Sequence, residues 1–330
     1  MARLDSAGTA PGGGEQRMKL HYGPERSEGE SAVALGSFDG VHLGHRKVIS
    51  LALAEERRGL ISTVLTFADS PKNSLGGEFG GSIFTQEQKI RVLEELGVEQ
   101  LYLLEFSSVK DMTAEAFVRD VLLSVCRAKK ACCGFNFTFG RGGAAGSAEL
   151  ARLCARCGVE TAVADAVLFE GTPVSSTRIR GLLAAGRAGE AARLLGRPFF
   201  YESPVLPGKR LGRKMGTPTL NQAVPPGCVL PRFGVYVSRV RIGGAAYCGV
   251  TNVGVNPTVG TESVRAETWM PGYSGPDLYG VTVRTELLEF LRPERRFAGV
   301  GQLREAILRD GRNAEEYCRR RRFAPDAGEN

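Results

Sequence analysis

The segment "GSFDGVHLGHRKVI", residues 36 to 49, concentrates residue types that bind anions. It holds two of the chain's three histidines, His42 and His45, among several glycines. An apolar run, Val33 to Leu35, precedes it and an amphipathic stretch, Leu43 to Arg58, follows, so it is predicted to join a strand to a helix. N–H groups at a helix N-terminus attract phosphate, and glycines let it approach the backbone. The histidines are therefore predicted to face a phosphate; the alternative is two ordinary polar residues at a helix start.

The chain around this segment has the pattern of a scaffold that would position it. From residue 31 to about residue 195, apolar runs alternate with amphipathic stretches, which predicts an α/β domain with a Rossmann-like parallel sheet covered by helices. Ligands bind beyond the carboxyl ends of the strands in such a sheet, where the segment lies. The predicted strands are "AVALGSF", "ISTVLTF", "QLYLLEF", "KACCGF" and "ETAVADAV", and the predicted helices are "GHRKVISLALAEERR", "QEQKIRVLEELG", "AEAFVRDVLLSV" and "SAELARLCARCG".

The pattern changes after "LLGRPF", residues 195 to 199. Glycine and proline recur, and short β-rich runs follow at close spacing, which is typical of a small barrel or sandwich; we predict a β-barrel. A closing helix is predicted over residues 301 to 320, with a break near Gly311. The predicted division is a disordered leader at 1–30, which contains His21, a first domain at 31–196 and a second domain at 197–330.

The composition bounds the class of protein. The chain has 330 residues, 42% hydrophobic and 24% charged, as in ordinary soluble proteins. Its net charge of +7 comes from interspersed acids and bases, so no nucleic-acid partner is expected. The first 16 residues lack the apolar core of a signal peptide, and no run approaches the ~18 apolar residues of a membrane span. We therefore expect a cytoplasmic protein without a membrane partner; its oligomeric state stays open.

The eight cysteines are predicted to be reduced thiols, because disulfides are rare in the cytoplasm. Cys154 and Cys157 in "CARC" have the spacing of half a zinc site, which Cys132 and Cys133 would have to complete. Those two are adjacent, however, and "ELARLCARCG" has the pattern of an amphipathic helix. The sequence therefore favours a helix over a zinc site here.

Four segments together carry a family resemblance. "GSFDGVHLGHRKVI" resembles the nucleotide-binding loop of the adenylyltransferase domain of bacterial bifunctional riboflavin kinase/FAD synthetases, and its "HLGH" matches the H-x-G-H element of the wider nucleotidyltransferase superfamily. "GFNFTFGRGG" resembles the family's G-x-D/N-F-x-F-G, and "VSSTRIRGLLAAGRAGEAARLLGRPF" resembles its I-S-S-T-x-I-R with the two helices after it. "LTF", residues 65 to 67, resembles the start of the T-F-x-P-H-P loop.

This resemblance implies that the phosphate of FMN attacks the α-phosphorus of ATP, which gives FAD and pyrophosphate. Such a step needs charge stabilised at the phosphoryl oxygens, and His42, His45 and the helix N-terminus would supply the donors. Ser176 and Thr177 are candidate helix caps and phosphate donors. Arg178 or Arg180 could hold a phosphate bidentately. The nucleotide-binding residues it implies are Gly36, Phe38, Asp39, Gly40, Gly44, Asn136, Ser176, Thr177, Arg178 and Arg180.

Two of these assignments stay open. Asn136 could contact the adenine or ribose edge, or it could form a turn between Phe135 and Phe137. Asp39 could orient its loop or a metal.

The family's T-F-x-P-H-P loop is "TFADSPKN" here, with Asp69 and Ser70 and without a histidine. This departure leaves a riboflavin kinase with an impaired adenylyltransferase domain as the nearest alternative.

A second set of motifs resembles the family's riboflavin kinase domain. "GTPTLN" stands for its G-x-P-T-A-N, and the two polar residues after Pro218, Thr219 and Asn221, project from one face of an extended chain. Their oxygens could share Mg²⁺ with the phosphates of ATP; a simple turn is the alternative. The ATP- and magnesium-binding residues implied here are Gly216, Pro218, Thr219 and Asn221.

The catalytic base of the kinase would be Glu267. "GVTNVGVNPTV", "DLYG" and "LRPERRF" match further family signatures, and "ETWMPGYSGPDLYG" corresponds to E-x-H-L-L-D-F-x-x-D-L-Y-G. A carboxylate at this position could take the proton from the ribityl 5′-hydroxyl as it attacks the γ-phosphorus of ATP; a solvated strand glutamate is the alternative. Trp269 stands in place of the usual histidine.

The expected function is therefore ATP-dependent phosphorylation of riboflavin to FMN and adenylylation of FMN to FAD, both with Mg²⁺. The alternative from another class is an RNA-binding or tRNA-modifying protein, which the H-x-G-H element and the basic isoelectric point of about 9.1 would suit. No K-M-S-K-S-like segment accompanies that element, since "RKMGTP" lies within the kinase motif.

Overall fold

The computed structural model describes residues 18–68, 80–208, 212, 216–258 and 261–321. These residues form a parallel α/β sheet followed by a curled antiparallel sheet with a C-terminal helix, so the predicted fold class is confirmed. No helix among the described residues is both long enough and apolar enough to cross a membrane.

The first sheet has six parallel strands in the order β1-β4-β3-β2-β5-β8. All five residues of β2 and of β4 are buried, as expected for strands with helices on both faces. The five predicted strands are confirmed. The strands are β1 (Lys19–His21), β2 (Ser31–Leu35), β3 (Ile61–Phe67), β4 (Gln100–Leu104), β5 (Ala128–Gly134) and β8 (Glu160–Ala164), with short strands β6 (Thr138–Phe139), β7 (Ala145–Gly146), β9 (Leu168–Phe169) and β10 (Thr172–Pro173) between and after them.

Helices cover this sheet, and their ends follow local capping signals. Thr85 and Gln88 form a capping box at the start of α2, and His42 caps α1. The stretch "AEAFVRDVLLSV" continues from α4 into a π-helix at Phe117–Val125. The helices are α1 (Leu43–Leu53, continued as a 3₁₀ turn to Arg58), α2 (Gln86–Glu95), α3 (Phe106–Val109), α4 (Ala114–Ala116), α5 (Ser147–Arg156), α6 (Ser176–Ala184) and α7 (Ala188–Leu195).

The expectation of a disordered leader up to residue 30 is wrong for its described part. Residues 19–21 form β1, an edge strand paired in parallel with β4. The imidazole of His21 is buried, stacks on the Tyr102 ring at 4.4 Å and lies 2.8 Å from Gln100 Nε2. The apolar pattern of this strand is too short to stand out in the sequence, because its stability comes from tertiary packing.

The second sheet has six strands in the order β11-β16-β13-β14-β15-β12, all antiparallel. Its two end strands approach each other: Ser203 Oγ donates to the carbonyl of Ala223 at 3.3 Å, and Gln222 Nε2 donates to the carbonyl of Ser203 at 3.1 Å. These bonds close the sheet toward a barrel. The strands are β11 (Phe199–Pro204), β12 (Thr219–Ala223), β13 (Gly234–Ile242), β14 (Ala245–Thr258), β15 (Thr261–Trp269) and β16 (Thr282–Arg292).

The closing helix, α8 (Val300–Arg320), is continuous, so the predicted break near Gly311 is wrong. A Cβ at Gly311 would lie 2.5 Å from the Trp269 ring. Glycine in a helix interior costs about 1 kcal/mol relative to alanine, and here its absent side chain makes room for the indole. The helix is also joined to β14 by a Cys248–Cys318 disulfide, so the prediction of reduced thiols is wrong for this pair.

The two sheets share a hydrophobic core rather than hanging from a free linker. Phe199, Phe200 and Tyr201 of β11 belong to the same buried cluster as residues of α1 and α2. The rings of Phe84 and Phe200 lie 5.0 Å apart, and Gln88 Nε2 donates to the carbonyl of Phe200 at 3.3 Å. Arg197, the predicted domain boundary, lies between α7 and β11; the boundary itself stays a prediction.

Candidate functional site

The loop after β2 brings the first set of predicted residues to the carboxyl edge of the parallel sheet. Its backbone turns sharply, with φ of 46° at Phe38 and 78° at Gly40. A Cβ at Gly40 would lie 2.9 Å from the Ile83 side chain, so both its conformation and its space require glycine. The Phe38 ring is buried below Gly36, where an added Cβ would lie 3.1 Å from it. The loop is thereby packed against the core and presents its far end at the start of α1.

His42 and His45 lie together at the N-terminus of α1. The backbone N–H of His45 donates to His42 Nδ1 at 3.3 Å, which makes His42 the N-cap. The two rings stack with their centroids 3.5 Å apart, and Phe38 meets His45 edge-on at 5.3 Å. Because His42 Nδ1 accepts this bond, the proton of the neutral ring lies on Nε2, which is left as a donor. At Gly44 an added Cβ would lie 3.1 Å from the His42 ring.

Burial keeps both histidines uncharged. It lowers the pKa of His42 to about 4. Burial also lowers the pKa of His45 well below its usual value, and His42 and the Lys89 ammonium lower it further. Among the described residues His45 Nδ1 has no hydrogen-bond partner, although that atom is buried. An unpartnered polar atom in such a place is costly unless a ligand satisfies it, so the pair is suited to bind a ligand group as neutral imidazoles.

Asp39 organises the loop around these histidines. Its carboxylate accepts the N–H of Ile83 at 2.9 Å and pairs with Arg180, while its carbonyl accepts the Ser176 hydroxyl at 3.0 Å. Burial raises the pKa of Asp39, and Arg180 opposes that shift. Of the two roles left open for Asp39, these contacts support loop orientation. They also place Arg180 at the loop.

The start of α6 differs in detail from the prediction. Ser175, not Ser176 or Thr177, is the N-cap, and its hydroxyl accepts the N–H of Arg178 at 3.3 Å. Ser176 is already the first helical residue, so its hydroxyl is free to reach Asp39, and Thr177 is exposed. The assignment of the cap to Ser176 or Thr177 is therefore wrong by one or two residues, because a cap needs extended backbone and Ser175 has it (φ −150°, ψ 155°).

The described contacts of Arg178 and Asn136 do not involve the histidine pair. The Arg178 guanidinium donates to the carbonyls of Phe169 and Thr172, both at 3.0 Å, and so holds the β9–β10 hairpin. Asn136 is exposed in the turn that follows β5, where the N–H of Phe137 donates to the carbonyl of Gly134 at 3.0 Å. This geometry is that of a turn former; a contact with the adenine or ribose stays a prediction.

The second set of predicted residues meets across three strands. In the pairing register Asn221 of β12 lies opposite Glu267 of β15, and Glu267 lies opposite Asn252 of β14. Because side chains alternate along strands, Thr219 and Trp269, which also pair with each other, share this face. The structure thus brings the predicted magnesium residues and the predicted base side by side.

The approach to Thr219 and Asn221 contains a polar group without a partner. Thr217 Oγ1 is buried and makes no hydrogen bond to any described residue. Gly216 has φ of 73° and lies exposed beside it, and Pro218 is also exposed. Hydroxyl and amide oxygens are ligands that Mg²⁺ accepts, and it keeps several positions for phosphate and water. The side-chain oxygens of Thr219 and Asn221, together with the unpartnered hydroxyl of Thr217, fit a magnesium ion bound to phosphate. Thr219 and Asn221 would hold that ion.

Asn252 and Glu294 lie in quoted motifs but were not singled out as site residues. Asn252 joins the sheet face formed by Thr219, Asn221 and Glu267, called the kinase face below. Asn252 Nδ2 donates to Glu294 Oε1 at 2.9 Å, which joins "GVTNVGVNPTV" to "LRPERRF". Glu267 is partly buried, and Trp269 packs against Gly311 of α8. Both motifs are visible in the sequence, but only the strand register shows that Asn252 lies opposite Glu267.

Two further features of the sequence are the segment "TFADSPKN" and the cysteines of "CARC". Asp69 and Ser70 of "TFADSPKN" lie outside the described residues. Cys154 is buried and Cys157 exposed. Cys154 lies in α5 (Ser147–Arg156), as the amphipathic pattern predicts.

Comparison with known proteins decides the family. A model of FAD synthetases matches residues 25–178, and a model of riboflavin kinases matches residues 195–318. The chain belongs to the bifunctional riboflavin kinase/FMN adenylyltransferase family. Relatives of that name are 32% identical in Bacillus subtilis, over 90% of this chain and 95% of the relative, and 33% identical in Pseudomonas fluorescens, over 92% and 96%. The resemblance drawn from the motifs is confirmed.

A solved structure shows the same arrangement of both sheets. It is a Streptococcus pneumoniae chain described as a macrolide-efflux protein, 31% identical to this one, with a TM-score of 0.81. The match covers 90% of this chain and 98% of the other. The two-sheet architecture is therefore shared along nearly the whole of both chains.

Proposed function

We propose that this family member phosphorylates riboflavin to FMN in its C-terminal half and adenylylates FMN to FAD in its N-terminal half. The observation that carries the proposal is that one chain of a bifunctional family contains both sets of candidate phosphate-binding residues. One set lies in the loop between β2 and α1, and the other lies on β12 and β15. We take Arg197 as the boundary between the halves, and the cytoplasm as the location, where riboflavin, FMN and ATP serve as substrates.

In the adenylyltransferase reaction, an oxygen of the FMN phosphate attacks the α-phosphorus of ATP and pyrophosphate leaves. His42 Nε2–H would donate to a phosphoryl oxygen, His45 would add a second contact, and the N–H groups at the start of α1 favour the negative charge. Both rings act as neutral donors, since burial holds their pKa values low. Asp39, held by Arg180, keeps the loop in place.

In the kinase reaction, the ribityl 5′-hydroxyl attacks the γ-phosphorus of ATP and ADP leaves. Glu267 would accept the hydroxyl proton, and its register position beside Asn221 supports this role. Thr219 and Asn221 would hold Mg²⁺ with the ATP phosphates, and the Thr217 hydroxyl would donate to a phosphate oxygen. Bound Mg²⁺ would withdraw charge from those oxygens.

One assay tests both activities and separates the alternatives. The protein is incubated with riboflavin and MgATP, and in parallel with FMN and MgATP, and the flavins are separated by chromatography. We expect FMN and then FAD in the first reaction, and FAD in the second. FMN without FAD in both reactions would favour the impaired adenylyltransferase. No conversion in either would refute the proposal and revive the RNA-binding alternative, which family membership disfavours.

A further inference from the structure

A cavity of about 400 Å³ lies beside the first site, and both halves of the protein line it. Ser37, Asp39 and Phe67 come from the carboxyl ends of β2 and β3, and Phe84 and Lys89 come from α2 and the residues before it. Another part of the wall is the turn Pro225–Cys228, which belongs to the C-terminal half. The volume lies in the range of small-molecule sites.

This wall is held in place by backbone hydrogen bonds. The N–H of Ser82 donates to the carbonyl of Gly227 and the N–H of Val229 donates to the carbonyl of Ser82, both at 2.8 Å. At Gly81, with φ of 86°, an added Cβ would lie 2.6 Å from the backbone of Cys228. The close approach of the two backbones therefore depends on a glycine, and the turn is built into the site.

The same short segment also contacts the catalytic loop. Arg180 Nε donates to the carbonyl of Gly81 at 2.7 Å and its guanidinium pairs with Asp39. The Asp39 carboxylate in turn accepts the N–H of Ile83 at 2.9 Å. Residues 81–83 thus join the loop that carries His42 to the turn of the other half.

The chemistry of the lining favours a partly apolar ligand. Phe67, Phe84 and Pro225–Pro226 offer apolar surface, and Asp39, Glu87 and Lys89 supply charged groups. The Cys228 thiol stays protonated, because burial raises its pKa to about 11 and the carboxylates of Asp39 and Glu87 add to the shift. An uncharged wall suits the ring system of a flavin better than the triphosphate of ATP.

We propose that the Pro225–Cys228 turn forms part of the FMN-binding cavity of the adenylyltransferase, so that the kinase half completes the substrate site of the other reaction. This inference rests on the proposed function of the first site. FMN would lie with its ring system against the turn and its phosphate toward the histidine pair.

The first test introduces bulk at the wall. Cys228→Trp should raise the KM for FMN in FAD formation by 10-fold or more, while the rate of riboflavin phosphorylation stays within about twofold. The matched control is Leu230→Trp, an exposed residue two positions along the same segment that does not line the cavity; it should change neither reaction. An unchanged KM for FMN in a folded Cys228→Trp enzyme would overturn the proposal.

The second test keeps the native wall and does not depend on turnover. Cys157, the exposed free thiol, is replaced by serine, and the rate at which a maleimide alkylates Cys228 is followed by peptide mass spectrometry. Saturating FMN should slow alkylation at least fivefold, and riboflavin should protect less because it lacks the phosphate. Equal alkylation rates with and without FMN, at an FMN concentration at least tenfold above its KM for FAD formation, would overturn the proposal that the turn lines the FMN cavity. An enzyme that makes no FAD but shows this protection would instead refute the proposed adenylyltransferase activity.

Discussion

The two candidate sites hold phosphate groups by different structural means. The first site is a loop and a helix start, in which residues close in sequence contact one another: His45 N–H meets His42 Nδ1, and Gly40 turns the chain between Asp39 and Val41. The second site is a sheet face, in which Asn221, Asn252 and Glu267 are brought together by strand register. A loop site is specified by local backbone conformation, whereas a sheet site is specified by long-range pairing.

The largest effect is expected at the sheet site. Glu267→Gln keeps the shape of the side chain but cannot accept a proton, so kcat for FMN formation should fall by about 10² to 10⁴. FAD formation from supplied FMN should stay normal, because Glu267 does not line the cavity of the first site. As a contrast, Asn221→Ala should also weaken MgATP binding, since it removes a metal ligand. Wild-type kinase rates in Glu267→Gln would move the base elsewhere.

A smaller loss is expected at the loop site. His45→Ala removes a ring that stacks on His42 and carries an unpartnered buried nitrogen. FAD formation should fall by about 10²-fold, roughly 2.7 kcal/mol, as for a lost transition-state donor. FMN formation in the same preparation is the internal control. If both rates fall equally in a folded protein, the two sites do not act separately.

Backbone conformation should matter more at the loop than elsewhere. Gly40→Ala places a Cβ 2.9 Å from Ile83 on a backbone with φ of 78°, and should lower the free energy of unfolding by about 1 to 3 kcal/mol. Gly181→Ala in α6, where no atom lies within 4 Å of the added Cβ, should be neutral or stabilising. Urea unfolding of both variants measures the difference. Equal stability would show that the loop relaxes freely.

An effect of pH on stability is also expected, and it should be confined to the N-terminal half, which contains all three histidines. The pKa of His42 is about 4 in the folded protein and 6.5 as an ordinary imidazole. The unfolded chain therefore binds the proton first, so stability is full above about pH 6.5 and falls toward pH 4, by at most about 1.4 kcal/mol per pH unit. Hydrogen exchange in residues 43–53, corrected for its intrinsic pH dependence, should show this fall, and His42→Gln should reduce it.

The sequence predicts the loop site better than the sheet site, because signals of local backbone conformation are visible in a sequence and strand pairing is not. Glycine spacing and two histidines at a predicted helix start are local signals, so the sequence places His42, His45 and Asp39 in one loop. The placement of Asn221 and Asn252 beside Glu267 depends on which strands pair, and no local pattern states that. The predicted break at Gly311 failed for the same reason, because the Trp269 ring that fills its space lies in another strand. The Cys248–Cys318 pair, 70 residues apart, was equally invisible.

The chain's single tryptophan has a consequence for spectroscopy. Trp269 lies two residues from Glu267, packed on α8 in the C-terminal half. Indole fluorescence of the native protein therefore reports the surroundings of the kinase face alone, while the N-terminal half is silent at that wavelength. ATP does not absorb in the range of indole emission, so it would leave this emission unchanged if it bound only beside His42 and would alter it if it bound beside Glu267. A single unlabelled titration can therefore assign nucleotide binding to one half.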